Sequence, residues 1–236
     1  VYLHLARMAG VDTILVPGIG VKEGLLLDLA DDLISHASHE HRQEQALTKA
    51  AVSLGRRFMF DEAHGLQVAR LALSLFDQLD NLHGLGETDR RLLLAAAILH
   101  DVGGFISKKG HHKHSLYLLS RSELPGLSPN EMLMVANVAR YHRRSVPQAT
   151  HPEFMRLSEP NRDRTERLAA ILRVADALDR THRQQVGRVR AVQKNKRVKL
   201  ELDCGGDCLL ERWALDQKKG LFIEVFGRDL ALANVS

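Results

Sequence analysis

The dipeptide His100-Asp101 closes an apolar run, RRLLLAAAILHD, in which Leu, Ala and Ile occupy nearly every face. A charged carboxylate in such surroundings costs several kcal/mol unless it is paired or bound to a cation. Asp176 raises the same difficulty in a second apolar stretch, beside Leu168, Leu172 and Ala175. His64 shares the stripe of Val68, Leu71, Leu75 and Leu79, whose three- and four-residue spacing turns it toward the interior of a third helix. Imidazole nitrogen and carboxylate oxygen together suit a divalent metal, and Mg, Mn, Fe and Zn are all compatible with them. His64, His100, Asp101 and Asp176 thus form a candidate metal centre whose carboxylates neutralise the ion and leave positions open. Water in an open position becomes a nucleophile near neutral pH. Each residue alone has a plainer reading. An inward His is often a hydrogen-bonded core residue, and a helical Asp is often a cap or the partner of an arginine such as Arg173 or Arg180.

The elements that must position these groups are helical. From about His36 to Gln185 the pattern is almost wholly α, and the expected fold is mostly α: a helical bundle followed by a small α+β C-terminal domain. The expected domains are 1–34, the tail of something larger; 35–185, the bundle; and 186–236. In the first zone Thr13–Pro17 reads as a short extended run, and Gly18 and Gly20 as a turn. RRLLLAAAILHD is apolar nearly all round, so its helix belongs at the centre of the bundle, ended by Gly103-Gly104. Further helices are expected from near His114, over Glu131 to His142, and over Thr165 to Thr181. In the last zone VGRVRAV and RVKLELD alternate as strands do, CLLERWAL reads as a third strand, and DQKKGLFIEVF as a short helix capped by Gly227.

The 236 residues carry a formal net charge of +4, which suits an anionic ligand but is too weak and dispersed to argue for nucleic acid. No apolar run is long enough to span a bilayer, so no membrane partner is expected. The start, VYLHLARMAG, lacks a signal-peptide layout and a Met, and reads as that of a fragment or processed chain. Cys204 and Cys208 are the two cysteines, so no disulfide framework is expected, zinc binding by this pair is disfavoured, and a reducing, cytoplasmic setting is the default.

In order, helix placement and spacing, His64, His100-Asp101 and Asp176 resemble the H…HD…D signature of the HD superfamily, which implies that the four ligate one metal. Superfamily members with two metals add histidines between the HD pair and the last Asp. GHHKHS and RYHRR supply His111, His112, His114 and His142 there. His114 and His142, at expected helix ends, are candidates for a second site, for binding phosphate oxygen or for proton transfer; His111 and His112 read as a solvated loop. The flanks are similar to the Ppx/GppA family of exopolyphosphatases and guanosine pentaphosphate phosphohydrolases. GVKEGLLLDL resembles the closing element of that family's actin-like core, with Lys22 where Arg is usual. LHDVG, HHKHS, LPGLS and ARYHRR resemble stretches of its HD-like helical domain, and RWALDQKKGLFIEVFGRDLAL its small C-terminal region.

The resemblance implies metal-assisted hydrolysis of polyphosphate or a guanosine polyphosphate, with Asp101 also orienting water. Lys113, Arg140, Arg143 and Arg144 are candidates to bind the phosphates; Lys108 and Lys109 could equally belong to a solvated face. A non-catalytic polyphosphate-binding or homodimerising module and a separate HD nucleotide phosphohydrolase are the rival expectations.

Overall fold

Capping groups and apolar spacing decide where most of the helices begin and end. The structure, a computed structural model, describes residues 7–11 and 21–233. The extended run expected at Thr13–Pro17 and the turn at Gly18 to Gly20 lie outside them. The chain divides into two compact units, Val1–Gln43 and Glu44–Ser236. Helix α1, Val21–Arg57, begins in the first. Within the second, Asp61 caps helix α2, Glu62–Gln78, by accepting the His64 N–H at 3.1 Å, which sets His64 in the first turn. His64, Val68, Leu71, Leu75 and Leu79 are all buried, as their spacing requires.

A short helix, α3 (Asp80–His83), ends at Gly84 in the left-handed region, and α4 (Glu87–Leu99) follows. Every residue of α4 from Leu92 to Leu99 is buried. That element packs against α2, α6 (Pro129–Arg140) and α8 (Glu159–Ala177), the central position its composition predicts. A 3-10 turn, Val102–Phe105, leads to α5, His111–Leu119. Helix α6 opens on a capping box: Ser128 Oγ accepts the Glu131 N–H at 3.3 Å, and the Glu131 carboxylate accepts the Ser128 N–H at 2.8 Å. Ser128→Ala should cost about 1 kcal/mol, read in thermal denaturation as a Tm lower by roughly 2–4 °C. The one-turn helix α7, Pro152–Met155, joins α6 to α8.

The C-terminal part is a sheet in the order β1-β2-β3, with helices α9, Leu209–Lys218, and α10, Gly220–Phe226, before its last strand. Strands β1 (Val186–Lys194) and β2 (Arg197–Cys204) are antiparallel, and β3 (Asp229–Leu232) pairs parallel to β2. Helix α2 holds the sheet: Gln67 donates to the Val186 carbonyl at 2.7 Å, and Gln78 both donates to Val189 and accepts from Ala191. The mostly α fold with a small α+β end is therefore the one expected.

Two details differ from expectation. CLLERWAL supplies helix α9 instead of a third strand. Glu211, Ala214 and Leu215 are its buried residues, at helical spacing, and Asp207 accepts the Leu209 N–H at its start. The strand-like alternation is short enough to be overridden by this packing. The two cysteines, from which no disulfide framework was expected, join each other in one local bridge, Cys204–Cys208, between the end of β2 and the start of α9. Helix α10 and its Gly227 cap, at a φ of 60°, fall within the expected helix DQKKGLFIEVF, with Leu221 and Phe222 buried, but Asp216, Gln217 and Lys218 at its expected start close α9 instead. Among the described residues no helix is long and apolar enough to cross a membrane.

Candidate metal centre

The first turn of α2, the end of α4 and the last turns of α8 bring His64, His100-Asp101 and Asp176 together. His64 Nε2 lies 3.7 Å and His100 Nε2 3.8 Å from Asp176 Oδ1, and His100 Nε2 is 3.7 Å from Asp101 Oδ1. These separations are too long for hydrogen bonds and short enough for ligands of a shared cation. Among the described residues three overlapping sets have ligand atoms within 4.8 Å of one another: His64, His100 and Asp101; His100, His142 and Asp176; and Asp101, His111 and His142.

The tautomers can be read from the outer partners. His100 Nδ1 faces the Ala97 carbonyl at 2.8 Å, His142 Nδ1 faces Ala139 at 2.6 Å, and His111 Nδ1 faces Lys108 at 3.1 Å. A carbonyl only accepts, so each Nδ1 carries a proton and each neutral ring turns an Nε2 lone pair to the centre. His64 Nδ1 meets the Asp179 carboxylate at 2.8 Å, so this ring, once deprotonated, also turns its Nε2 lone pair to the centre. The Nε2 atoms of His64 and His100, together with Asp101 Oδ1, are buried without a hydrogen-bond partner. The Nε2 atoms of His111 and His142 confront each other at 3.2 Å, where two neutral acceptors cannot bond, and Arg143 donates to His111 Nε2 at 3.4 Å. Two unpartnered imidazole nitrogens beside an unpartnered carboxylate oxygen fit a cation.

Electrostatics agree. Burial opposes ionisation of Asp101, yet the imidazoles of His100, His111 and His142 hold its carboxyl well below the usual range. Burial likewise opposes the Asp176 carboxylate, and Lys218 with the neighbouring histidines overrides it. Burial pushes His100 down and His142 down to about 3, so both stay neutral. Burial also pulls on His64, but the Asp176 and Asp179 carboxylates prevail and raise it to about 9. The Asp101 carboxylate raises His111. Excess negative charge in the cluster thus draws in protons where cations would serve.

Beside the cluster lies a cavity of about 270 Å³, lined by Asp101, His111, His142, Asp176 and His182, by Arg143, Arg144, Arg173, Arg180 and Lys218, and by Trp213, Ala214 and Gln217. The Lys218 ammonium contacts Asp176 Oδ2, leaving Oδ1 to face His64 and His100. His182 stacks on His64 at 3.6 Å between ring centroids and is held by Asp61.

Of the residues singled out in the sequence, His64, His100, Asp101, Asp176 and His142 meet, and Arg143 and Arg144 line the cavity. His114 belongs to none of the three ligand sets, and neither the exposed Lys113 nor Arg140, which is buried against the Tyr141 ring, lines the cavity. His111 and His112 are not a solvated loop. They form the buried first turn of α5, and His111 stands 3.0 Å from Asp101. The glycine before them, in the left-handed region, starts the helix three residues earlier than expected and so turns His111, not His114, inward. Nor do Arg173 and Arg180 pair with Asp176. Arg173 instead donates to the Tyr141, Arg144 and Ser145 carbonyls, and Lys218 takes the carboxylate. Asp179 carries a signal, one helical turn after Asp176; Trp213 carries none, lying in a segment that reads as strand, and Lys218 lies in the segment expected to be a short helix, with nothing local to aim it at Asp176.

A bundle of helices carrying a buried His/Asp cluster beneath a cationic cavity defines the class. The model of the Ppx/GppA phosphatase family, domain III, matches residues 47–219, and the chain belongs to that family. It is similar to proteins named guanosine-5'-triphosphate,3'-diphosphate pyrophosphatase. The one from Vibrio vulnificus is 28% identical over 186 residues, 78% of this chain and 34% of that protein. The one from Vibrio campbellii is 30% identical over 162 residues, 68% and 31% respectively, and that of Photobacterium profundum 29% over 190 residues, 80% and 36%. The chain spans about a third of the length of these curated relatives.

Proposed function

We propose that this chain is the HD-type C-terminal region of a Ppx/GppA protein, and that its buried cluster hydrolyses phosphoanhydride or phosphate-ester bonds in polyphosphate or a guanosine polyphosphate. Residues 1–34 would then be the end of an actin-like core, 35–185 the HD-type domain and 186–236 an α+β appendage. The observation that carries the reading is the convergence of the buried, unpartnered Nε2 atoms of His64 and His100 on two carboxylates.

In this reading His64, His100, Asp101 and Asp176 hold one divalent cation, and Asp101, His111 and His142 can hold a second. Such ions acidify water and draw charge from a phosphoryl group. The protein's own groups do the rest. Asp179, Ala97 and Ala139 fix the rings of His64, His100 and His142 so that lone pairs point inward. Lys218 fixes Asp176 through its other oxygen. Arg143, Arg144 and Arg180 bind the phosphate oxygens, with bidentate geometry available to each guanidinium. The Asp101 carboxylate, kept ionised, orients the attacking water.

Asp179→Asn should weaken divalent cation binding about 10–100-fold in calorimetric titration, because an amide can donate to His64 Nδ1 and move the proton onto Nε2. The function is tested by phosphate release from polyphosphate, pppGpp, dNTPs and NMPs with Mn²⁺ or Mg²⁺, and again after EDTA. Metal-dependent release is expected from polyphosphate or pppGpp. Its absence with every substrate contradicts the hydrolytic reading and favours a polyphosphate-binding module.

A further inference from the structure

One face of α9 turns Trp213, Ala214, Gln217 and Lys218 to the cavity. Cations suffice to hold an inorganic phosphate chain, which has no surface for an indole to contact. Yet Trp213, at 58% exposure, leaves most of its ring uncovered at this edge. The neighbouring Leu209 and Leu210 are also exposed but do not line the cavity, so the indole is the one exposed apolar group of α9 placed there. Gln217, one turn further along, adds an amide able both to donate and to accept, the pattern required at a base edge. Lys218 follows at once, in contact with Asp176 at the metal-ligand cluster. Along one helix the order is aromatic platform, amide, ammonium, cluster.

We infer that the cavity takes a nucleoside polyphosphate in preference to a bare phosphate chain, with the base stacked on Trp213 and the phosphates running past Lys218 toward Asp101 and Asp176. The inference rests on the phosphate-binding reading of the same cavity and adds its specificity. Base–aromatic stacking is worth about 1–3 kcal/mol per base by alanine substitution, or roughly 5–150-fold in affinity.

Trp213 is the protein's only tryptophan, so its emission reports this position alone. Titration of the 236-residue chain with GTP in Mg²⁺ should change that emission saturably, whereas inorganic tripolyphosphate, with as many phosphates and no base, should leave it nearly unchanged. By calorimetry Trp213→Ala should weaken GTP about tenfold and tripolyphosphate less than twofold, with Trp213→Phe restoring most of the loss. Equal effects of the substitution on both ligands, or no binding of GTP, would overturn the inference. These readings need no turnover. GTP bound through Trp213 without phosphate release would remove the hydrolytic function and leave the inference standing. Hydrolysis indifferent to Trp213 would do the reverse.

Discussion

Asp101→Ala should lower phosphate release by at least about a thousandfold, together with loss of tightly bound divalent cation. The magnitude follows from position. Asp101 Oδ1 is 3.7 Å from His100, 3.0 Å from His111 and 3.3 Å from His142, so one carboxylate belongs to both candidate cation sites. Its removal leaves the first candidate site with Asp176 as its one carboxylate and the second with none. The helix it ends is held by its own apolar burial, so the fold should survive. Asp101→Asn, nearly the same shape without the charge, should give the same loss with unchanged circular dichroism. Release that persists in both variants would place the chemistry elsewhere.

A second large effect is expected from a single methyl group. Gly103 lies in the 3-10 turn after the HD pair, where a Cβ would meet the His111 carbonyl oxygen at 2.0 Å and the Ser115 nitrogen at 2.3 Å. Both are backbone atoms and cannot rotate away. Ser115 Oγ locks the same junction, accepting from the Gly103 N–H at 2.9 Å and donating to the His100 carbonyl at 2.7 Å. Gly103→Ala should therefore separate α5 from the HD turn, lowering stability by about 3 kcal/mol or more and Tm by roughly 10 °C. It should also weaken cation binding through His111. Gly104, one residue on, is exposed and has no atom within 4 Å of its would-be Cβ, so Gly104→Ala should be nearly silent in the same melt.

The chemistry was legible where burial and charge collide. An Asp at the end of an all-apolar helix and a His on an apolar stripe announce a ligand problem, and the structure gathers both with Asp176. Helix periodicity placed α2, α4 and α8 because their apolar faces are long and unbroken. Short elements were less readable. CLLERWAL carries too few residues to separate a period of two from one of three and a half, and that hides Trp213; Lys218, in the expected helix after it, meets Asp176 only through the tertiary fold. His111 was hidden for a different reason. Nothing local says whether a His-rich loop faces solvent, and its inward turn depends on the close approach of Gly103 to α5, a tertiary fact. Arg173 shows the converse. It sits three residues before Asp176, yet three backbone carbonyls claim its guanidinium.

The central claim is that side chains from three helices share a cation. Diffraction from crystals soaked in Mn²⁺ and recorded for anomalous signal tests it directly. The expected result is a peak bounded by His64, His100, Asp101 and Asp176, with a second beside His111 and His142 at higher metal concentration. Saturating Mn²⁺ with no anomalous density among those residues, and imidazoles joined only to protons and carboxylates, would contradict it.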